Sequence, residues 1–277
     1  LYDPQAHHAH AFLYGLDPGV FCLARAAWIL QLIGHSKQAS KKVGEAVALA
    51  QQQSHAFSLA VALVHGNLVL QIRREWSALQ QQAEAAIAVC REQGFGSVLA
   101  QATTHQGHAL AQQGKTEEGT ALIREGLDAQ LATGASLFRP WYLCYLAEVC
   151  GTAGRFDEGL AAMAEAMAIV GKTGERYNEA ELHRVKGELI LRGSGLEAKP
   201  GVQMEAEECF RKSIEIARHQ EARSYELKAV ISLSRLWKQQ GKKEQARQML
   251  AEIYGWFGEG FDTKDLIEAK ALIEQLS

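Results

Sequence analysis

The stretch Gly107-His-Ala-Leu-Ala-Gln-Gln-Gly-Lys-Thr-Glu-Glu-Gly119 returns forty residues later as Ala147-Glu-Val-Cys-Gly-Thr-Ala-Gly-Arg-Phe-Asp-Glu-Gly159. In both copies a small residue is followed by a glycine seven positions on and a second small residue twelve positions on. Outward from this pair, Ala27, Asn67, Gly107, Ala147 and Gly187 share one 40-residue ruler, on which Asn67 is the one polar exception. Ala39, Leu79, Gly119 and Gly159 share a second, and Ser54, Gly94, Gly134 and Gly174 a third. A fixed period of this length marks stacked supersecondary units. After Gly159 the ruler slips by 7 to Ala206 and resumes 40 later at Ala246. The slip falls at Gly193-Ser-Gly-Leu-Glu-Ala-Lys-Pro-Gly201, where no helix continues, and reads as an insertion in an inter-helix turn.

Between the markers, apolar residues recur with helical rather than strand spacing, as in Leu143, Leu146, Ala147 and Cys150. Each unit therefore reads as helix A, a short turn, helix B and a longer turn. Gly34, Gly114, Gly154 and Gly241 stand where a helix C-cap needs positive φ. Repeat two has Arg74-Glu75-Trp76 there, which predicts a less tightly specified turn. Asp17-Pro18 supplies an N-cap acceptor and a first-turn proline for the first A helix. Small residues such as Ala147 and Gly159 let paired helices approach, with Val43, Ile123, Met163, Phe210 and Leu250 filling the groove beside them.

A hairpin alone cannot bury both faces, so neighbouring hairpins must cover it. The expected fold is all-α, a right-handed α-solenoid of about six hairpins with a C-terminal capping helix. Its expected layout is a lead segment at 1–19, the remnant of a preceding repeat, and one solenoid over 20–277. Repeats fall near 20–59, 60–99, 100–139, 140–179, 180–226 and 227–262, with the cap over 263–276.

The spacing of Gly107, Leu110, Gly114, Thr116 and Gly119, and of Ala147, Gly154, Phe156 and Gly159, resembles the tetratricopeptide repeat (TPR). The chain departs from that family in its period of 40 rather than about 34 and in lacking the proline that ends helix B. A narrower resemblance rests on the stretches 10–19, 173–191 and 254–266, the last with Gly-Glu-Gly-Phe-Asp among clustered aromatics. These are similar to the C-terminal TPR region of bacterial adenylate/guanylate cyclase-linked AAA/STAND-type signalling ATPases. The resemblance implies a sensor or docking region whose ATPase and cyclase domains lie upstream in the same chain. The start at Leu1 rather than Met fits such a fragment.

Composition excludes several other classes. The 277 residues carry 29 basic and 32 acidic side chains, so nucleic acid is not an expected partner. Five cysteines without a C-x-x-C pair fit a reduced, cytoplasmic chain, and 58–72, broken by His65 and Asn67, is too short to span a membrane. No phosphate loop is present: Gly193, Gly195 and Lys199 have the wrong spacing. His7, His8 and His10, and the pair His105 and His108, lack further ligands at helical spacing, so neither a metal nor a cofactor is expected. Glu175, Glu179, Glu181 and Glu188, near His183 and Arg184, read as a salt-bridged helix face rather than a general acid/base pair. No catalytic residue is assigned.

By the TPR resemblance, positions two, five, nine and twelve of each A helix line a concave groove that takes a protein or peptide segment. The expected contacts run from Phe21, Trp28, Val64 and Leu68 through His108, Trp141 and Glu148 to Arg184, Lys228, Arg235 and Lys238. Trp28 and Trp141 are the aromatic anchors, and Arg184, Arg235 and Lys238 the contacts to an acidic segment. The apolar N-terminal members read equally well as core. The cluster Tyr254, Trp256, Phe257 and Phe261 reads as part of the end cap. The function expected is a non-catalytic interaction and regulatory scaffold. The alternative is the effector-sensing repeat domain of a STAND-type transcriptional activator that binds a small inducer.

Overall fold

The computed structural model of the chain describes residues 2–3, 9–195 and 198–277. His7 and His8 lie outside the described residues, as do the side chain of His10 and two residues of the insertion, 196–197. All regular structure among the described residues is helical.

A short helix α1 (His10–Tyr14) precedes α2 (Pro18–Leu32), α3 (Ser36–Gln52), α4 (Ala56–Ile72), α5 (Trp76–Gln93), α6 (Gly96–Gln112) and α7 (Thr116–Ala132). There follow α8 (Arg139–Thr152), α9 (Phe156–Thr173), α10 (Glu179–Gly193), α11 (Pro200–His219), α12 (Arg223–Gln239), α13 (Lys243–Trp256) and α14 (Lys264–Leu276). The even-numbered helices from α2 to α12 are the A helices of six hairpins, and α14 packs on α12 and α13. The chain divides into two compact units, residues 1–31 with 35–137 and residues 32–34 with 138–277.

The turns account for the period. Residues 34, 74, 114 and 154 all have positive φ, as do residues 54, 94, 134 and 174, so two left-handed positions recur every forty residues. Five A-helix turns close the same way: the N–H groups of His35, Glu75, Lys115, Arg155 and Lys242 donate to carbonyls five residues back, at 2.8–3.0 Å. This is the Schellman arrangement, which glycine adopts most readily at the left-handed position. Repeat two corrects the expectation of a looser turn. Arg74 takes φ 60° and keeps the 3.0 Å bond from Glu75 to Leu70, so the geometry is preserved at the expense of local strain.

Helix contact depends on small residues in the register expected. A methyl group on Gly107 would stand 2.6 Å from the Gly119 carbonyl oxygen and 2.8 Å from the Ile123 nitrogen, so α6 and α7 touch backbone to backbone. The Phe210 ring lies over Gly187, where an added Cβ would meet it at 2.6 Å. Ile123, Met163, Phe210 and Leu250 are fully buried, as the filling role requires. In the first unit one core cluster is rich in small residues: Ala24, Ala46, Ala50 and Ala62 join α2, α3 and α4. The second unit buries a group of aromatic side chains, Phe138, Trp141, Tyr142, Tyr145 and Tyr225, beside a mainly aliphatic cluster.

The helix starts match the sequence in part. Asp17 Oδ1 accepts from Val20 N–H at 2.8 Å, and the buried Asp17 also accepts from Tyr2 Oη and Gln53 Nε2. Thr263 does not cap α14 with its side chain; its hydroxyl donates instead to the Gly260 carbonyl at 2.7 Å.

Candidate partner-binding surface

In the first unit the A helices α2, α4 and α6 carry the expected residues Phe21, Trp28, Val64, Leu68 and His108. Phe21 is half-buried, while Trp28, Val64, Leu68 and His108 are buried in the packed interior. These four do not stand on an open surface, because apolar A-helix positions serve contacts within the unit. Val64 packs in one cluster with Ala86, Ile87 and Val98 of α5 and α6.

The Arg25 guanidinium lies 5.0 Å from the Phe21 ring centre and 5.5 Å from that of Trp28. Burial lowers its pKa. This aromatic clamp was not foreseen, because Arg25 lies one residue off the expected groove positions. His65 bonds through Nδ1 to the Val61 carbonyl at 2.9 Å and meets Phe21 edge-on. Burial, with the Arg25 charge adding to it, brings the His65 pKa down to about 4. Burial likewise lowers His105 to about 3, with His108 and His65 contributing. His108 packs edge-on against Trp76 at 5.3 Å. Among the described residues no group of three or more His, Cys, Asp or Glu side chains is placed to hold a metal ion.

The second unit holds an ionic network on its A helices. Arg184 of α10 donates from Nε and Nη2 to the two oxygens of Glu181 at 2.9 and 2.8 Å, and from Nη2 to Glu148 of α8 at 2.9 Å. Glu188 lies 3.9 Å from its Nη1 and accepts from Ser232 of α12 at 2.5 Å. Lys228 of α12 reaches Glu181 at 3.4 Å and lies over the Tyr225 ring at 5.9 Å. Burial alone would lower the Arg184 pKa, but Glu181, Glu148 and Glu188 raise it well above the usual value. Burial would raise Glu181, yet Arg184 and Lys228 hold it below the ordinary carboxylate value. Arg184 and Glu181 are thus both charged near neutrality.

Farther along α12, Arg235 pairs with Glu268 of α14, and Lys238 donates to Gln275 at 2.7 Å. Trp141 is buried at the base of this face between Phe138, Tyr177 and Tyr225. The structure therefore brings Glu148, Arg184 and Lys228 together, places Arg235 and Lys238 on the next helix pair, and puts Trp141 inside. Arg184 is occupied by carboxylates of its own chain, which changes what it offers to a partner.

The network has a sequence signature in its spacings. Glu148 and Arg184 are 36 apart, close to one period, and Glu181 and Lys228 are 47 apart, one period plus the insertion. The glutamates near His183 are only partly the solvated face expected. Arg176 and Glu179 fit it, but Glu175 accepts the Phe138 N–H at 2.7 Å and the Tyr177 hydroxyl, and burial raises its pKa. The buried Cys144 thiol, its pKa raised by burial, is no nucleophile.

No family model matches the chain. An uncharacterized protein of Rhizobium meliloti (strain 1021) is 27% identical over 237 residues, which are 85% of this chain and 22% of that protein. The chain thus spans about a fifth of the length of the curated relative it matches. Among solved structures, the apo form of RapI is similar with a TM-score of 0.60 at 11% identity, covering 94% of this chain and 86% of that one. Yeast Tom70 gives 0.46 at 14% identity, covering 87% and 60%. No helix of the described residues is long and apolar enough to cross a membrane. With the RapI likeness and the all-helical hairpin order, the fold is a TPR-like α-solenoid.

Proposed function

We propose that this chain is a non-catalytic protein-interaction scaffold within a longer protein, engaging a peptide segment along its A helices. The observation that carries this reading is the polar network displayed across α8, α10 and α12 of a TPR-like fold. Side chains that converge from three successive repeats form an extended recognition surface of the kind helical-repeat proteins use. The length of the matched relative supports a larger assembly, and the resemblance of the stretches 173–191 and 254–266 points to the regulatory region of a cytoplasmic bacterial signalling ATPase or nucleotide cyclase. A display of random peptides against the purified chain tests the reading. Selected sequences are expected to converge on a shared pattern and to lose binding when Glu148, Arg184 and Lys228 are replaced together in a variant that still folds. Selection without convergence, or binding indifferent to that variant, overturns it.

A further inference from the structure

Tyr2 is held at the start of α2 by groups that recognise its hydroxyl. The phenol donates to Asp17 Oδ2 at 2.7 Å and accepts from Gln53 Nε2 at 2.8 Å, so one oxygen fills both hydrogen-bonding roles. Its ring lies on Gly19, where an added Cβ would stand 2.5 Å from the ring's Cζ. Gly19 is not among the glycines of positive φ, so α2 does not need glycine there for its backbone, and glycine is a poor helix former. What the position uses is the missing Cβ, which opens a slot for an aromatic ring.

The walls of the slot are positioned by bonds that do not involve Tyr2. Asp17 is fully buried; its Oδ1 accepts from Val20 N–H at 2.8 Å and its own N–H donates to Ser58 Oγ at 2.9 Å. Gln53, at the end of α3, also donates to Asp17 Oδ2 at 3.1 Å. Helices α2, α3 and α4 thus converge on one carboxylate, and this preorganisation lowers the cost of binding a phenol. Tyr2 itself remains 36% exposed, so its place is reachable from solvent. The buried Gln53 Oε1 beside it meets no hydrogen-bond partner among the described residues, so Tyr2 leaves the site incompletely satisfied. The acceptor sets the selectivity. A phenylalanine ring would fill the slot and leave Asp17 without its O–H donor, and a phosphotyrosine would bring negative charge against the carboxylate. Burial and the bond to Asp17 push the pKa of Tyr2 up to about 12, the same exclusion of an anion.

We propose that Gly19, Asp17 and Gln53 form a tyrosine-binding site, with Tyr2 as its occupant in cis, and that a tyrosine of a partner peptide takes the site when Tyr2 withdraws. The site is built from residues of the first unit alone and does not rest on the peptide-binding reading above.

The test uses the whole chain carrying Tyr2→Ala, which vacates the slot, and a fluorescein-labelled peptide with the sequence of residues 1–5, Leu-Tyr-Asp-Pro-Gln. Binding is read by fluorescence anisotropy for three versions of the peptide, with tyrosine, phenylalanine or phosphotyrosine in second place. The tyrosine peptide is expected to bind at least about tenfold tighter than either of the others. Adding Gly19→Ala, which fills the floor of the slot and favours the helix, should reduce its affinity by at least about tenfold. The wild-type chain should bind it at least about tenfold more weakly than the Tyr2→Ala chain, because its own Tyr2 competes as a tethered ligand. Absence of binding to the Tyr2→Ala chain, equal binding of the tyrosine and phenylalanine peptides, tighter binding of the phosphotyrosine peptide, or affinity indifferent to Gly19→Ala or to the presence of Tyr2 overturns the proposal. Tyr2→Phe, which keeps the ring, is the second variant. Its melting temperature is expected to fall by about 2 °C or more through loss of the hydroxyl's bonds, and an unchanged value also overturns the proposal.

Discussion

Asn67 stands on the register where the other repeats carry Ala27, Gly107, Ala147 and Gly187, and it is completely buried. Neither its Oδ1 nor its Nδ2 meets a hydrogen-bond partner among the described residues. An unpaired amide in a protein interior costs about 1–3 kcal/mol. Replacing Asn67 with alanine removes that penalty and gains about 0.5 kcal/mol of helix propensity in α4. The loss is packing: a void about the size of one water, ~30 Å³, costs about 0.7 kcal/mol at ~24 cal/mol per Å³. Asn67→Ala is therefore expected to stabilise the first unit by about 1–3 kcal/mol. With a urea m-value near 2 kcal/mol/M, the midpoint followed by far-UV circular dichroism rises by about 0.5–1.5 M. A loss of stability of 1 kcal/mol or more would refute the reasoning, since it would show that the amide is satisfied in solution and that its partners were removed.

Gly119→Ala should destabilise by at least about 3 kcal/mol, because the atoms that an added methyl would meet are the Gly107 carbonyl and the Ala111 backbone, which cannot swing aside; a melting temperature within 2 °C of wild type, about the shift from 1 kcal/mol, contradicts it. Glu221 holds φ 55° at the end of α11, so Glu221→Gly is expected to stabilise by about 0.5–1 kcal/mol, and chemical unfolding showing a loss instead counts against strain at that turn. His65 and His105 sit near 4 and 3, below the ordinary histidine value of about 6.5. The unfolded chain then binds more protons than the folded one below pH 6.5, so stability is complete above that pH and declines as pH falls toward 4. The decline approaches about 1.4 kcal/mol per pH unit for each histidine. Thermal melts between pH 7 and 5 should show it, His105→Leu should flatten the slope, and a level profile in the wild type rules it out.

The hairpin order was legible in the sequence because the period is written in small residues, and small residues sit where backbones touch. Gly107 with Gly119 and Gly187 beneath Phe210 are contacts of that kind. The turn of repeat two was misjudged for a related reason: a glycine reports a left-handed backbone, but Arg74 shows that the same hydrogen bonds can impose it on another residue. The candidate surface was less readable. Periodicity places a residue on a helix face without saying whether that face is covered, so Trp28, Val64, Leu68, His108 and Trp141 were assigned to a groove and lie in the interior. Charge suffered likewise. Arg184 and Lys228 have a sign in the sequence, and the Arg184–Glu181 pair three residues apart is readable there, but the contacts of Arg184 with Glu148 and of Lys228 with Glu181, 36 and 47 residues apart, depend on separate helices lying at hydrogen-bonding range.

The left-handed positions at 34, 74, 114 and 154, and at 54, 94, 134 and 174, have a consequence for how such a chain changes length. Cutting at two positions of one series removes a whole hairpin and joins a turn to another of the same geometry, so the helices on either side meet at the angle they already had. Loss or duplication of genetic material in multiples of about 120 nucleotides then preserves the turn geometry at the junction, provided that small residues still meet where the helices touch. Insertions of other lengths must be absorbed locally, as the lengthened turn 194–199 and the 20-residue α11 together absorb the seven extra residues. The backbone of the turns thus sets the unit in which this protein can gain or lose recognition surface.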